Sequence, residues 1–313
     1  MAITRNGLLQ ILINNLVSDT WNIHIFTQNK GDVMMARRLI LIEGLPGSGK
    51  STIAKMASEI LIGQGKQVQL FQEGNLDHPA DYEGVAFYHT EDFEALLSTH
   101  EDYREVLESN AIAYDQGFLI PYRKMKEQWG IDIPDHVLQD IFRRDIYEIP
   151  FEQNVKLITE KWQDFAQNVL NTNDDCITIF ECCFIQNPLT MGLVKCNQSK
   201  EQNVQYVLEL GRIIHALNPL LIYINQKDIS YTFDKAVSER PKEWSEGFIN
   251  YYTNQGFGQA QGYQGVPGTV QVLQERKRLE SEIYGLLQMD KVWLDNSDYD
   301  REASRRKLEK ILE

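Results

Sequence analysis

The segment Gly44-Leu45-Pro46-Gly47-Ser48-Gly49-Lys50-Ser51 meets the pattern G-x-x-x-x-G-K-[ST] without departure. Each fixed residue type answers a need of phosphate chemistry. Glycines let the backbone turn its N–H groups inward, where they cradle anionic oxygens as a nest. A helix starting near Lys50 adds the positive end of its dipole. Lys50 supplies a mobile point charge for the β- and γ-phosphates, the Ser51 hydroxyl is suited to ligate Mg²⁺, and Thr52 follows directly. This set, Gly44 to Thr52, predicts that the chain binds a nucleoside triphosphate, with ATP and Mg²⁺ as the expected pair.

Such a loop works only between a buried strand and a helix, and the flanking residues supply both. Leu39-Ile40-Leu41-Ile42 is a continuous apolar run, the pattern of a strand covered on both faces. Ile53, Met56, Ala57, Ile60 and Leu61 then recur at helical spacing, and Gly63 and Gly65 offer a stop. Val68 to Phe71 reads as a second strand, so the order is a βαβ unit and implies a parallel sheet. Further strands are predicted at 177–180, 220–224 and 292–294, with helices over 135–147, 204–217, 270–287 and 300–312. The expected fold is α/β, a three-layer parallel sheet of about five strands with helices on both faces. Residues 91–170 read as a helical insertion. Residues 250–268, rich in Gly and Gln, read as a mobile lid or a disordered connection.

Two carboxylates fall at strand ends, where ligands bind in open α/β sheets. Glu181 closes the strand Ile177 to Phe180 and is a candidate for holding the metal-bound water or the acceptor. Glu73 follows Leu70-Phe71-Gln72 and opens the polar segment Glu73 to Tyr82, which suits recognition of a second substrate.

Two features of a GTPase are narrowly missed. Asp81-Tyr82-Glu83-Gly84 has no apolar strand running into its aspartate, and in Asn225-Gln226-Lys227-Asp228 the lysine stands one place too late. The run Ile42-Glu43-Gly44 to Thr52, with Glu73 at the end of the second strand, resembles the nucleoside and nucleotide kinases among P-loop proteins, thymidylate-kinase-like members in particular. Over 36–313 the order of elements is similar too, although only the loop matches sharply, and no Asp-Arg-Tyr segment is present. The resemblance implies a P-loop NTPase fold and an ATP-dependent phosphotransferase acting on a small-molecule acceptor. It implies Lys50 and Glu73 as catalytic groups, Glu73 as base toward the acceptor. It also implies a lid over 230–270 in which Arg240 neutralises charge on the transferring phosphoryl; the loop motif and the strand end themselves put Ser51 and Glu181 at the metal. Lys235, Lys242 and the helical Arg123, Lys124, Arg143 and Arg144 are lesser candidates for anion contacts. The alternative is a nucleoside triphosphate hydrolase or nucleotide-dependent switch with no small-molecule acceptor.

The net charge of −14 argues against a nucleic acid polymer as partner, since that affinity rests on clustered Lys and Arg. No stretch approaches the ~18 apolar residues that span a bilayer, and residues 1–35 make a poor signal peptide. We therefore expect a cytoplasmic protein with no membrane partner, for which an oligomer is allowed. Its natural start could lie at Met34 or Met35, behind a weakly ordered extension over 1–35. The cysteines at 176, 182, 183 and 196 match no zinc spacing and read as reduced thiols.

Overall fold

In the computed structural model the described residues are 36–115, 117–172 and 174–313. The reading of residues 1–35 lies outside them. β1 (Leu39–Gly44) is buried along its whole length. Period-two alternation sends Ile40 and Ile42 to one apolar layer and Leu39 and Leu41 to the other. The loop leads into α1 (Lys50–Gly63), and β2 (Val68–Phe71) follows.

The chain then builds a smaller unit from β3 (Ala86–His89), α2 (Thr90–Thr99), α3 (Arg104–Asn110), β4 (Ile112–Tyr114), β5 (Gly117–Ile120), α4 (Tyr122–Glu127) and α5 (Asp135–Phe142). Here the expectation of a wholly helical 91–170 is corrected. β5 pairs antiparallel with both β3 and β4 and gives a three-stranded sheet of order 3-5-4. Strands of three or four residues leave too little alternation to stand out between helices. This unit has its own apolar cluster, in which Phe93, Leu97, Ile120, Met125, Val137 and Ile141 meet. The helix predicted over 135–147 ends at Phe142, and Asp145, beyond it, bridges to Ala86.

The remaining elements are α6 (Phe151–Asn171), β6 (Ile177–Glu181), α7 (Gln186–Leu189), which runs on as a π-helical turn (Thr190–Lys195), α8 (Lys200–Ile213), β7 (Leu220–Asn225), α9 (Ile229–Glu239), α10 (Lys242–Thr253), α11 (Gly256–Ala260), α12 (Gly265–Leu286), β8 (Asp290–Asp295) and α13 (Arg301–Leu312). β2, β6, β1, β7 and β8 form one sheet in that order, every pairing parallel. One face packs on α1 and α13 through Ile53, Met56, Ile60, Leu308 and Leu312. The other packs on α6, α8 and α12 through Trp162, Phe165, Val207, Leu210 and Ile283. The result is three layers, as the composition of the strands required.

The disordered connection expected over 250–268 is also corrected. These residues carry the end of α10, all of α11 and the start of α12. Tyr252, Phe257, Val266 and Val270 cluster there with Leu45, Val194 and Phe233, and that burial outweighs the low helix propensity of the glycines.

Candidate active site

The strand order places β6 directly beside β1, so Ile42 and Glu181 face each other in register. The carboxylate that ends β6 therefore stands next to the glycine loop that ends β1. Ser51, on the first turn of α1, donates its hydroxyl to Glu181 Oε1 at 2.5 Å. Gln72 Nε2 donates to the second oxygen at 3.2 Å.

The loop takes its shape from positive φ angles at Gly44, Gly47 and Gly49. A Cβ at Gly44 would lie 2.5 Å from the Ile224 carbonyl oxygen, and one at Gly49 would lie 2.6 Å from the Asn296 amide. The Ser48 carbonyl accepts from Asn296 Nδ2 at 2.8 Å and from Gln226 Nε2 at 3.1 Å, while Tyr299 donates to the Gly47 carbonyl. The β7 and β8 termini thus clamp the loop from behind. Lys50 is buried, with Nζ donating to the Leu45 carbonyl at 3.0 Å. Burial opposes its charge, but the carboxylates of Glu73, Glu181 and Glu43 prevail and raise its pKa.

A cleft of about 870 Å³ opens over this loop. Six of the predicted phosphate-loop residues line it: Pro46, Gly47, Gly49, Lys50, Ser51 and Thr52. Leu45 instead joins an apolar cluster with Phe233, and Ser48 is buried. Glu73, Glu181 and Arg240 line the same cleft, so the three groups named beside the loop are brought together with it. Arg240 is exposed and lies over the Trp244 ring, 4.1 Å from its centroid. Lys235 also lines the cleft and pairs with Glu239, whereas Lys242 pairs with Glu246 on the surface.

Glu73 is exposed toward the cleft, and Gln186 Nε2 donates to its Oε1 at 3.0 Å. Gln186 is itself fixed by its backbone N–H, which donates to Glu43 at 3.0 Å. Burial raises the Glu43 carboxyl to about 7, against the opposing pull of the Gln186, Phe184 and Ile185 N–H groups. Asp81 and His78 face inward. Asp81 accepts from Tyr147 and Asn187, and burial pushes the His78 imidazole down to about 4. The four cations expected on helices for anion contacts are already paired, Arg143 and Arg144 lying just past the end of α5: Arg123 with Glu83 and Glu127, Lys124 with Asp77, Arg143 with Asp140, and Arg144 with Asp92.

Glu73, Glu181 and Cys182 offer ligand atoms within 4.8 Å of one another. The Ser51 hydroxyl and the two carboxylates are hard oxygen donors that fit Mg²⁺, whereas Cys182 does not. Burial drives its thiol pKa well up, so it stays protonated.

Sequence reasoning missed one whole wall. Trp244, Phe248 and Tyr252 recur every four residues on α10, and the last two rings stack at 4.1 Å. That spacing was legible as an aromatic stripe. Gln186 and Asn187 gave no such signal.

The chain has a three-layer α/β fold with a P-loop at the end of β1. Its loop, parallel sheet and carboxylate-bearing neighbour strand carry that statement. No protein-family model matches it, and no curated protein matches it significantly. Among solved structures it is similar to the crystal structure of APE1195, at 12% identity and a TM-score of 0.36 over 88% of this chain and 95% of that one. It is similar also to thymidylate kinase from Candida albicans, at 12% identity and 0.36 over 88% and 91%. Scores so low say nothing of substrate. Among the described residues no helix is long and apolar enough to cross a membrane.

Proposed function

We propose that the chain is an ATP-dependent phosphotransferase that moves the γ-phosphoryl group to a small-molecule hydroxyl. The observation that supports this most is the shared cleft: Lys50, Ser51 and Glu181 stand at its phosphate end, and the Glu73 carboxylate faces the same space. Ser51 and Glu181 would hold Mg²⁺, which neutralises phosphate charge when bound.

The loop N–H groups and the α1 N-terminus orient the triphosphate. Lys50 is cationic, and its Nζ moves from the Leu45 carbonyl to the phosphate oxygens. Arg240 swings from the Trp244 face toward charge developing on the transferred group, an electrostatic contribution that is often the largest available. Glu73 takes the acceptor proton.

The test is transfer from γ-labelled ATP to a library of nucleosides, nucleotides, sugars and amino alcohols. Lys50→Ala should abolish ATP binding without unfolding the domain, and unchanged affinity would sink the proposal. Glu73→Gln should bind ATP and lose transfer. Steady phosphate release without any acceptor would favour a hydrolase instead.

A further inference from the structure

Resting on the phosphotransferase reading, we infer that the acceptor is an alcohol without negative charge, neutral or cationic, and is not a phosphate-bearing compound such as a nucleoside monophosphate.

The cations that line the cleft, Lys50, Lys235 and Arg240, all stand on the loop or at the α9 end, where the triphosphate would lie. Beyond Glu181 the lining turns to Glu73, Gln186, Asn187, Thr190, Tyr251 and Tyr252. That wall offers one exposed carboxylate, amides and hydroxyls. The nearest guanidinium behind it, Arg276, is fully buried and spends its donors on Glu280, Thr190, Tyr252 and the Gln186 carbonyl. Lys195 binds the Tyr147 carbonyl and Glu148, and Lys161 lies over the Tyr82 ring. Among the described residues, then, no cation lines the acceptor end of the cleft, and Lys161, held over the Tyr82 ring, is not part of the lining. At that end an incoming phosphate would meet Glu73 and Glu181, while of the three cleft cations Lys50 is engaged by the ATP triphosphate and Lys235 and Arg240 stand on the α9 side.

A second observation points the same way. Gln186 is 6% exposed and its Nε2 is committed to Glu73, which fixes the amide orientation. Its Oε1 has no hydrogen-bond partner among the described residues. That oxygen is buried beside the cleft and lacks a donor, so an O–H or N–H that reached it would be favoured and an anion would not. Glu73 and Gln186 Oε1 together are complementary to a donor-rich alcohol. In the transfer, the acceptor O–H gives its proton to Glu73 and its oxygen bonds to the γ-phosphorus. The bond from that phosphorus to the β,γ-bridging oxygen breaks, and ADP leaves.

The experiment uses matched pairs: nucleosides and their 5′-monophosphates, sugars and sugar phosphates, amino alcohols and their phosphate esters. Each member is titrated into the full chain loaded with Mg·ADP, and each is offered with γ-labelled ATP. Label is expected on unphosphorylated members only, with those members binding at least about tenfold tighter than their phosphate esters. In Glu73→Gln, transfer should vanish and the discrimination against the phosphate esters should shrink, because one like charge is gone. Saturable binding or labelling of any phosphate ester in preference to its alcohol would overturn the inference while leaving the kinase reading intact. Failure of the wild-type chain to bind Mg·ATP would take down both.

Discussion

The Ser51 hydroxyl, on α1, donates to the Glu181 carboxylate, on β6, at 2.5 Å. This contact joins the helix that follows the phosphate loop to the strand beside it. It also puts the two oxygen ligands proposed for Mg²⁺ within reach of one ion. Glu181→Gln keeps the shape and removes a charge. Affinity for Mg·ATP should fall by about tenfold or more, as for lost metal ligation, while affinity for metal-free ATP should hold or rise. Isothermal titration with and without Mg²⁺ separates the two. Equal losses in both would show that Glu181 shapes the loop and does not ligate metal.

Asn296 tests the clamp behind the loop. It is buried, donates to the Ser48 carbonyl at 2.8 Å and accepts from Ser304 at 3.1 Å. Asn296→Leu leaves the carbonyl with Gln226 alone and leaves Ser304 without its partner, a cost of about 1–3 kcal/mol. Thermal unfolding should drop and ATP affinity should fall with it. Retained affinity at lowered stability would mean that the loop holds its shape without the clamp.

The buried ion pair of Arg276 with Glu280, both at most 1% exposed, knits α12 to α7, α10 and β7. Removing one partner strands the other charge in an apolar interior and costs about 3–5 kcal/mol, whereas replacing both can be close to neutral. Arg276→Met should therefore be far less stable in urea than wild type, and Arg276→Met with Glu280→Met should recover much of the loss. If the double variant is as unstable as the single one, stranded charge is not the cause. Because Arg276 also holds the Gln186 carbonyl, the single variant should lose transfer activity beyond its loss of folded protein.

How much of this was legible beforehand varied with the range of the contact that decides each feature. Leu39 to Ile42 announced a strand buried on both faces because every residue in it is apolar, and the loop after it is defined by local geometry alone. Glu73 and Glu181 could be named because strand ends in a parallel sheet converge on one edge. Gln186 and Asn187 could not. Their place depends on Glu43, more than a hundred residues earlier, whose carboxylate accepts the Phe184 and Gln186 N–H groups. β4 and β5 were invisible because three or four residues hold little pattern. Residues 250–268 misled because composition suggested a loop, whereas packing of Tyr252, Phe257 and Val266 made helices.

His78 offers a prediction in pH. Its ring lies between Phe71 and Phe180, its Nδ1 accepts from the Ala80 N–H at 3.1 Å, and it is 7% exposed. Burial carries its pKa from 6.5 to about 4, with Asp81 pulling it up and Lys161 pushing it down. The fold thus holds the neutral form, and the stability this implies is present above pH 6.5 and lost as pH falls toward 4. The span corresponds to about 3 kcal/mol. Glu43 and Glu83, both raised to about 7 by burial, shift in the opposite sense over an overlapping range, so the total curve alone is uninformative. The comparison that isolates His78 is wild type against His78→Phe, by urea unfolding at several pH values between 4 and 6.5. The difference between them should move steadily in favour of the variant as the pH drops. A difference that stays flat across this range would mean that the imidazole is not held neutral by its surroundings.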